Sequence, residues 1–276
     1  MDSPGRPSLR LVSGGSADDD GASDTGHAGK DHADKDHADK EFRRRLDRAI
    51  ASIHVVFQPI VWADRSTVFG YEALVRSTDR WLTGPAELFT AAEEADAVVD
   101  LEHAIWAQVA DAMASIGDEL PVFVNVHPAA LDDPAQLDPA GPLAACSDRI
   151  VIELTQGAAL DAMAHMGETL ATLRGLGFGI AIDDMGAGYE SLRTFAEVAP
   201  DVVKFDISLV RDIDSRPLQA ELLASMIKIC RDLDIRTVGI GVETDAERAR
   251  LTALGCELLQ GFRFARPRWP PADIAW

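Results

Sequence analysis

Cysteine is scarce in this chain. The three present, Cys146, Cys230 and Cys256, are odd in number, scattered, and not in paired metal-ligand spacing. That excludes a disulfide framework and a thiolate zinc site, and it fits free thiols among apolar neighbours in a reducing compartment. Long apolar runs are missing too. None approaches the ~20 residues that a membrane helix needs, and the opening MDSPGRPSLRLVSGG has no apolar core after its charges. The expectation is a cytoplasmic protein with no membrane partner. Positive charge is in short supply: 26 Lys and Arg stand against 46 Asp and Glu, a formal charge of -20 at pH 7. A field of that sign repels nucleic acid and anionic lipid, so neither is an expected partner, and a phosphorylated ligand needs cations to help hold it.

What is present is a large apolar share, 47% of 276 residues, enough for the core of one large domain. Residues 1–40 are rich in Gly, Ser, Asp and Lys, carry the tandem DHADK at Asp31 to Lys40, and show no apolar periodicity. They read as a disordered acidic tail. His27, His32 and His37 lie in it at spacings that put no metal cluster on one helix face. The domain is expected over 41–276, opening with an amphipathic helix at EFRRRLDRAIASI.

Short apolar strands then alternate with longer helical runs. The strand candidates are 54–61, 67–75, 121–126, 150–154, 178–183, 202–205, 236–241 and 258–262. Helical runs begin at Pro85, Asp100, Ala159, Leu218 and Asp245. This tally predicts an α/β fold, a TIM-like (β/α)8 barrel. Only Trp62 to Ser66 separates the first two strands, too little for a helical crossover, so that pair is expected to be antiparallel.

In such a barrel, ligands gather at the C-terminal strand ends. Here polar groups recur at those ends or beside them: Glu72, Asn125, Glu153, Asp183 with Asp184, Lys204 with Asp206, Glu243 and Gln260. Each alone has a structural explanation, such as a helix cap, a turn or a local ion pair. Together they set at least four carboxylates around one mouth, where repulsion raises their pKa values or demands counter-cations. Carboxylates with an amide and no nearby His or Cys suit hard ions such as Mg²⁺, Mn²⁺ or Ca²⁺. A phosphate about 5 Å from one carboxylate is repelled by about 3 kcal/mol at an effective dielectric of about 20, a sign that one or two divalent ions reverse.

The ordered motifs FQPI (Phe57 to Ile60), YEALVR (Tyr71 to Arg76), VNV around Asn125, IELT around Glu153, IDDMGAGYESL (Ile182 to Leu192), KFD at Lys204, GVET (Gly241 to Thr244) and QGFRFARP (Gln260 to Pro267) resemble those of the EAL domain. That family comprises cyclic di-GMP phosphodiesterases and non-hydrolysing relatives. The resemblance implies that Glu72, Asn125, Glu153 and Asp183 bind a first Mg²⁺ or Mn²⁺, and that Asp183 with Asp184 binds a second. It implies catalytic roles for Lys204, Gln260 and Glu243, and contacts to cyclic di-GMP from Gln58, Glu72, Leu74 and Arg76. Gly186 to Ser191 resembles the family's mobile loop, and a homodimer formed through the region after it is a further expectation, as is an unidentified protein partner.

The departures matter as much. Ile240 stands where the resemblance calls for a second-metal carboxylate, which removes a charge and an inner oxygen together. Met185, Glu190 and Gln156 also depart from the pattern. The expectation is a protein that binds cyclic di-GMP with hydrolysis lost or reduced. The alternatives are an active phosphodiesterase yielding pGpG, and an interaction module that binds no nucleotide.

Overall fold

The computed structural model describes residues 27–117, 119–131, 133, 138, 140–155, 163–186, 189–269, 274 and 276. The chain divides between Glu41 and Phe42. Helix α1 spans His27–Ile50 and so starts well before the expected lead-in at Glu41. The sequence sets an acid four residues before a lysine at Asp31/Lys35 and Asp36/Lys40, a spacing that favours a helix even without an apolar stripe. Residues 1–26 of the expected tail lie outside the described residues.

From Phe42 onward the chain is a closed barrel whose eight strands follow in sequence order. β1 (Ile53–Trp62) runs antiparallel to both β2 (Val68–Ser77) and β8 (Leu258–Gln260). The other neighbours pair in parallel: β3 (Val122–Asn125), β4 (Ile150–Thr155), β5 (Gly179–Met185), β6 (Val202–Phe205) and β7 (Arg236–Gly239) complete the ring. The TIM-like barrel with one antiparallel strand is as expected.

The runs expected from Pro85 and Asp100 form two helices, α2 (Pro85–Glu94) and α3 (Val98–Met113), with Asp96 at φ 51 between them. Then come α4 (Pro128–Leu131), α5 (Met163–Gly175), α6 (Tyr189–Val198), α7 (Ile207–Val210), α8 (Pro217–Asp232) and α9 (Asp245–Leu254). The last is bounded as its sequence dictates. Thr244 and Glu247 form a reciprocal capping box, and Gly255 closes the C-terminus at φ 86. Among the described residues no helix is long and apolar enough to cross a membrane.

Strand periodicity sorts the core into two regions. Outward residues such as Val75, Val124, Ile152, Ile182 and Phe205 pack beneath the helices. Inward ones, Ile60, Phe123, Ala181, Val202, Val238 and Leu258, fill the barrel, with Val151 and Ile240 packed against them. That apolar floor closes the lower barrel and leaves the next inward layer to face the mouth.

Candidate functional site

Because side chains on a strand repeat their direction every two residues, the layer above the floor can be read by stepping two positions toward the mouth. Ile60 gives way to Gln58 on antiparallel β1. Phe123, Val151, Ala181, Val202 and Leu258 give way to Asn125, Glu153, Asp183, Lys204 and Gln260. Glu72 on β2 pairs in register with Gln58, and Val238 leads to Ile240 just beyond β7. Of these eight positions, seven are polar or charged and Ile240 is the exception.

The cluster centres on Lys204, 1% exposed. Its Nζ lies 3.1 Å from Glu72 Oε2, 2.6 Å from Glu153 Oε1 and 3.2 Å from Asp183 Oδ1. Glu72 also accepts from Asn125 Nδ2 at 3.0 Å and from Gln260 Nε2 at 2.5 Å, and Gln260 donates to Gln58 Oε1 at 3.1 Å. Gln58 in turn donates to the Ala265 carbonyl at 3.1 Å.

Burial works to raise the Glu72 carboxyl, but Lys204 and the amides of Gln260 and Asn125 outweigh it and hold it below its ordinary range. For Glu153 burial wins: its carboxyl is pushed well above the ordinary range despite Lys204, with Glu72 and Asp183 adding to the rise. Burial also opposes the Lys204 charge, yet Glu153, Glu72 and Asp183 together raise the ammonium well above its ordinary value. Lys204 is therefore a cation at neutral pH.

Asp184, expected beside Asp183 at the mouth, stands outside the three-carboxylate cluster and the cleft lining, at a defect in the ladder. Neighbouring strand residues point to opposite faces, so Asp183 and Asp184 could not both serve the mouth from a regular strand. The register shifts between Ile182 and Met185, and Asp184 takes φ 53. Such a bulge re-aims a side chain, and an aspartate tolerates the left-handed region. Burial, then Asp183 and Asp206, pushes its carboxyl up to about 6.

A cation fits this donor set. One oxygen from each of Glu72, Glu153 and Asp183 lies within 4.8 Å of the others, and all three residues are buried. Among the described residues Glu153 Oε2 and Gln260 Oε1 are buried without a hydrogen-bond partner, a costly state that a bound ion or its water relieves. With all groups ionised, three carboxylates and one ammonium sum to -2, the complement of one divalent ion. All donors are hard oxygens.

The cluster lines a cleft of about 300 Å³, with Gln58, Glu72, Asp183, Lys204, Ile240 and Glu243 in its wall. Leu74, Gln260, Ile207 and Phe262 line it too. The last two escaped sequence reading. Phe262 keeps the inward parity of Gln260 and could have been found that way; Ile207 follows the strand, where periodicity gives no signal. Phe262 is 48% exposed and carries the Arg266 guanidinium 4.2 Å from its ring centre.

Two expected residues are turned elsewhere. Glu243 reaches the lining, but its Oε1 is 2.8 Å from Arg211 Nη2. Arg76 is half-buried beyond the lining residues, with Nη1 donating to the Val75 carbonyl at 2.7 Å. Gln156 and Gly188 fall outside the described residues, and Gly186 is the described start of the loop.

The EAL domain model matches residues 42–267. The chain belongs to the EAL domain family. Among curated relatives, the cyclic di-GMP phosphodiesterase RocR of Pseudomonas aeruginosa is 30% identical over 220 residues, 76% of this chain and 56% of RocR. The cyclic di-GMP phosphodiesterase PdeR of Escherichia coli is 31% identical over 246 residues, 85% of this chain and 36% of PdeR. The chain thus spans about half of one relative and a third of the other. BlrP1 of Klebsiella pneumoniae, solved with calcium and cyclic di-GMP, superposes with a TM-score of 0.71 at 31% identity, covering 82% of this chain and 58% of BlrP1. This EAL domain therefore shares its barrel with structures in which cyclic di-GMP and a divalent metal are bound.

Proposed function

We propose that this EAL domain binds cyclic di-GMP in the cleft beside one firmly held divalent cation, with hydrolysis lost or reduced. The observation that carries the reading is Ile240, the one apolar side chain in an otherwise polar inward layer. Glu72, Asn125, Glu153 and Asp183 would hold the first Mg²⁺ or Mn²⁺, and their charge suffices for it. A second ion would have Asp184 and a share of Asp183, with a branched hydrocarbon where a third oxygen is needed. A cation pair, when complete, activates water and stabilises in-line displacement at phosphorus.

Lys204 would supply a fixed positive charge on the cleft floor, and Gln260, braced by Gln58 and Glu72, would orient a water. Gln58 and Leu74 face the ligand, with Arg76 behind them. Glu243 favours the second reading, an active phosphodiesterase producing pGpG, because it lines the same cleft. Calorimetry with cyclic di-GMP and Ca²⁺, followed by turnover in Mg²⁺ or Mn²⁺, separates the two. Binding without turnover in the parent, with turnover appearing in Ile240→Glu, supports the proposal. Parent turnover at an ordinary enzymatic rate of about 1 s⁻¹ or more refutes it.

We further infer a homodimer through the outer face of α8. Leu218, Leu222, Ile229 and Leu233 are all exposed there. Their numbers are symmetric about the point between Ser225 and Met226. A two-fold antiparallel pairing would set Leu218 on Leu233 and Leu222 on Ile229 of a second copy, the self-complementarity that an isologous contact requires.

A further inference from the structure

The turn after β7 and the helix after β6 are locked together at the cleft. Gly241 has φ 73, and a Cβ on it would stand 2.5 Å from the Ile207 side chain, so only glycine lets the two segments meet. Just beyond this junction Arg211 spans two acids: Nη2 to Glu243 Oε1 at 2.8 Å, and Nη1 to Glu247 Oε1 at 3.6 Å. Glu247 is buried and itself fixed. It accepts from the backbone N–H groups of Glu243 at 2.9 Å, Thr244 at 3.0 Å and Asp212 at 3.1 Å. The guanidinium thus bridges a buried acid held by three backbone donors and a partly exposed acid at the cleft. Glu243 is also the acid nearest in sequence to Ile240 and shares its cleft with Asp183.

We propose that Arg211 withholds Glu243 from the divalent cation of the cleft and thereby sets the affinity for that cation. The inference rests on the reading that the cleft holds such an ion. It makes Arg211 a positioning residue specific to a chain that lacks a carboxylate at Ile240, where Glu243 is the remaining acid that could reach toward a second ion. The side chains of Arg211 and Glu243 are 31% and 46% exposed, so the pair is partly screened by water. Its effect is a tuning of about two- to fivefold in cation affinity, not a block.

The test is Mn²⁺ titration by calorimetry, without nucleotide, on the parent, Arg211→Met, Glu243→Gln and the double variant. Arg211→Met should bind Mn²⁺ two- to fivefold more tightly, and the gain should vanish in the Glu243→Gln background. A gain that persists there is a general effect of removing a positive charge and overturns the proposal, as does no gain at all. Thermal unfolding without metal checks the fold; Glu247 keeps its three backbone donors, and Arg211→Gln replaces Arg211→Met if the latter does not fold. Should the parent bind Mn²⁺ in a manner that Glu72→Gln abolishes while Arg211→Met changes nothing, this proposal fails and the cation reading stands. Should the parent bind no Mn²⁺, both fail.

Discussion

Lys204→Met probes the cluster at its centre. In the parent the ammonium lies within 3.2 Å of three carboxylates, and each such contact is worth about 5 kcal/mol of gross attraction at an effective dielectric of about 20. Most of that is offset by the cost of burying the ions, so the measurable loss is that of breaking a buried pair, about 3–5 kcal/mol. For a domain of this size that lowers Tm by about 10 °C. The sign with pH follows from the shifts. The raised Lys204 value makes its contribution fully present at neutral pH and lost only as pH rises through that value. The lowered Glu72 value makes its share present above the ordinary carboxylate range and lost as pH falls, so the gap between parent and variant narrows in acid. The variant also leaves three acids uncompensated, so added Mn²⁺ should raise its Tm more than it raises that of the parent. Thermal unfolding with and without Mn²⁺ reads both effects. A variant as stable as the parent without metal, or one that gains no more from it, refutes the account of the cluster.

Other outcomes follow from other parts of the barrel. Glu102 on α3 is fully buried, accepts from the His127 backbone N–H at 2.6 Å, and burial pushes its carboxyl up to about 8. The folded state then keeps a proton that the unfolded chain releases, so the parent should lose up to about 4 kcal/mol between pH 5 and 8 that Glu102→Gln does not lose, as measured by urea unfolding. Gly261→Ala would put a Cβ 2.1 Å from the Val242 carbonyl oxygen, and should cost at least about 2 kcal/mol and weaken cyclic di-GMP binding; unchanged stability would contradict the packing. Leu222→Asp should convert a dimer to a monomer in sedimentation equilibrium, and a monomeric parent would remove the α8 interface.

Much of the barrel was legible because strands with one face inside and one beneath helices carry their pattern in the residues themselves. The β1–β2 hairpin followed from a connection too short for a helix. The inward polar layer followed from Asn125, Glu153, Asp183, Lys204 and Gln260 standing where apolar strands end. What periodicity could not reveal were features decided by single backbone angles or distant partners. Asp184 takes its left-handed angle at a shift in register that no alternation of residues signals. Glu243 is drawn aside by an arginine 32 positions earlier, a contact that depends on the closed barrel bringing β6 beside β7.

The number of tightly bound Mn²⁺ ions per chain tests the central claim most directly, because it counts what Ile240 is held to remove. Titration of the metal-free protein in the presence of cyclic di-GMP should find one tight ion in the parent and two in Ile240→Glu. Two tight ions in the parent would contradict the account.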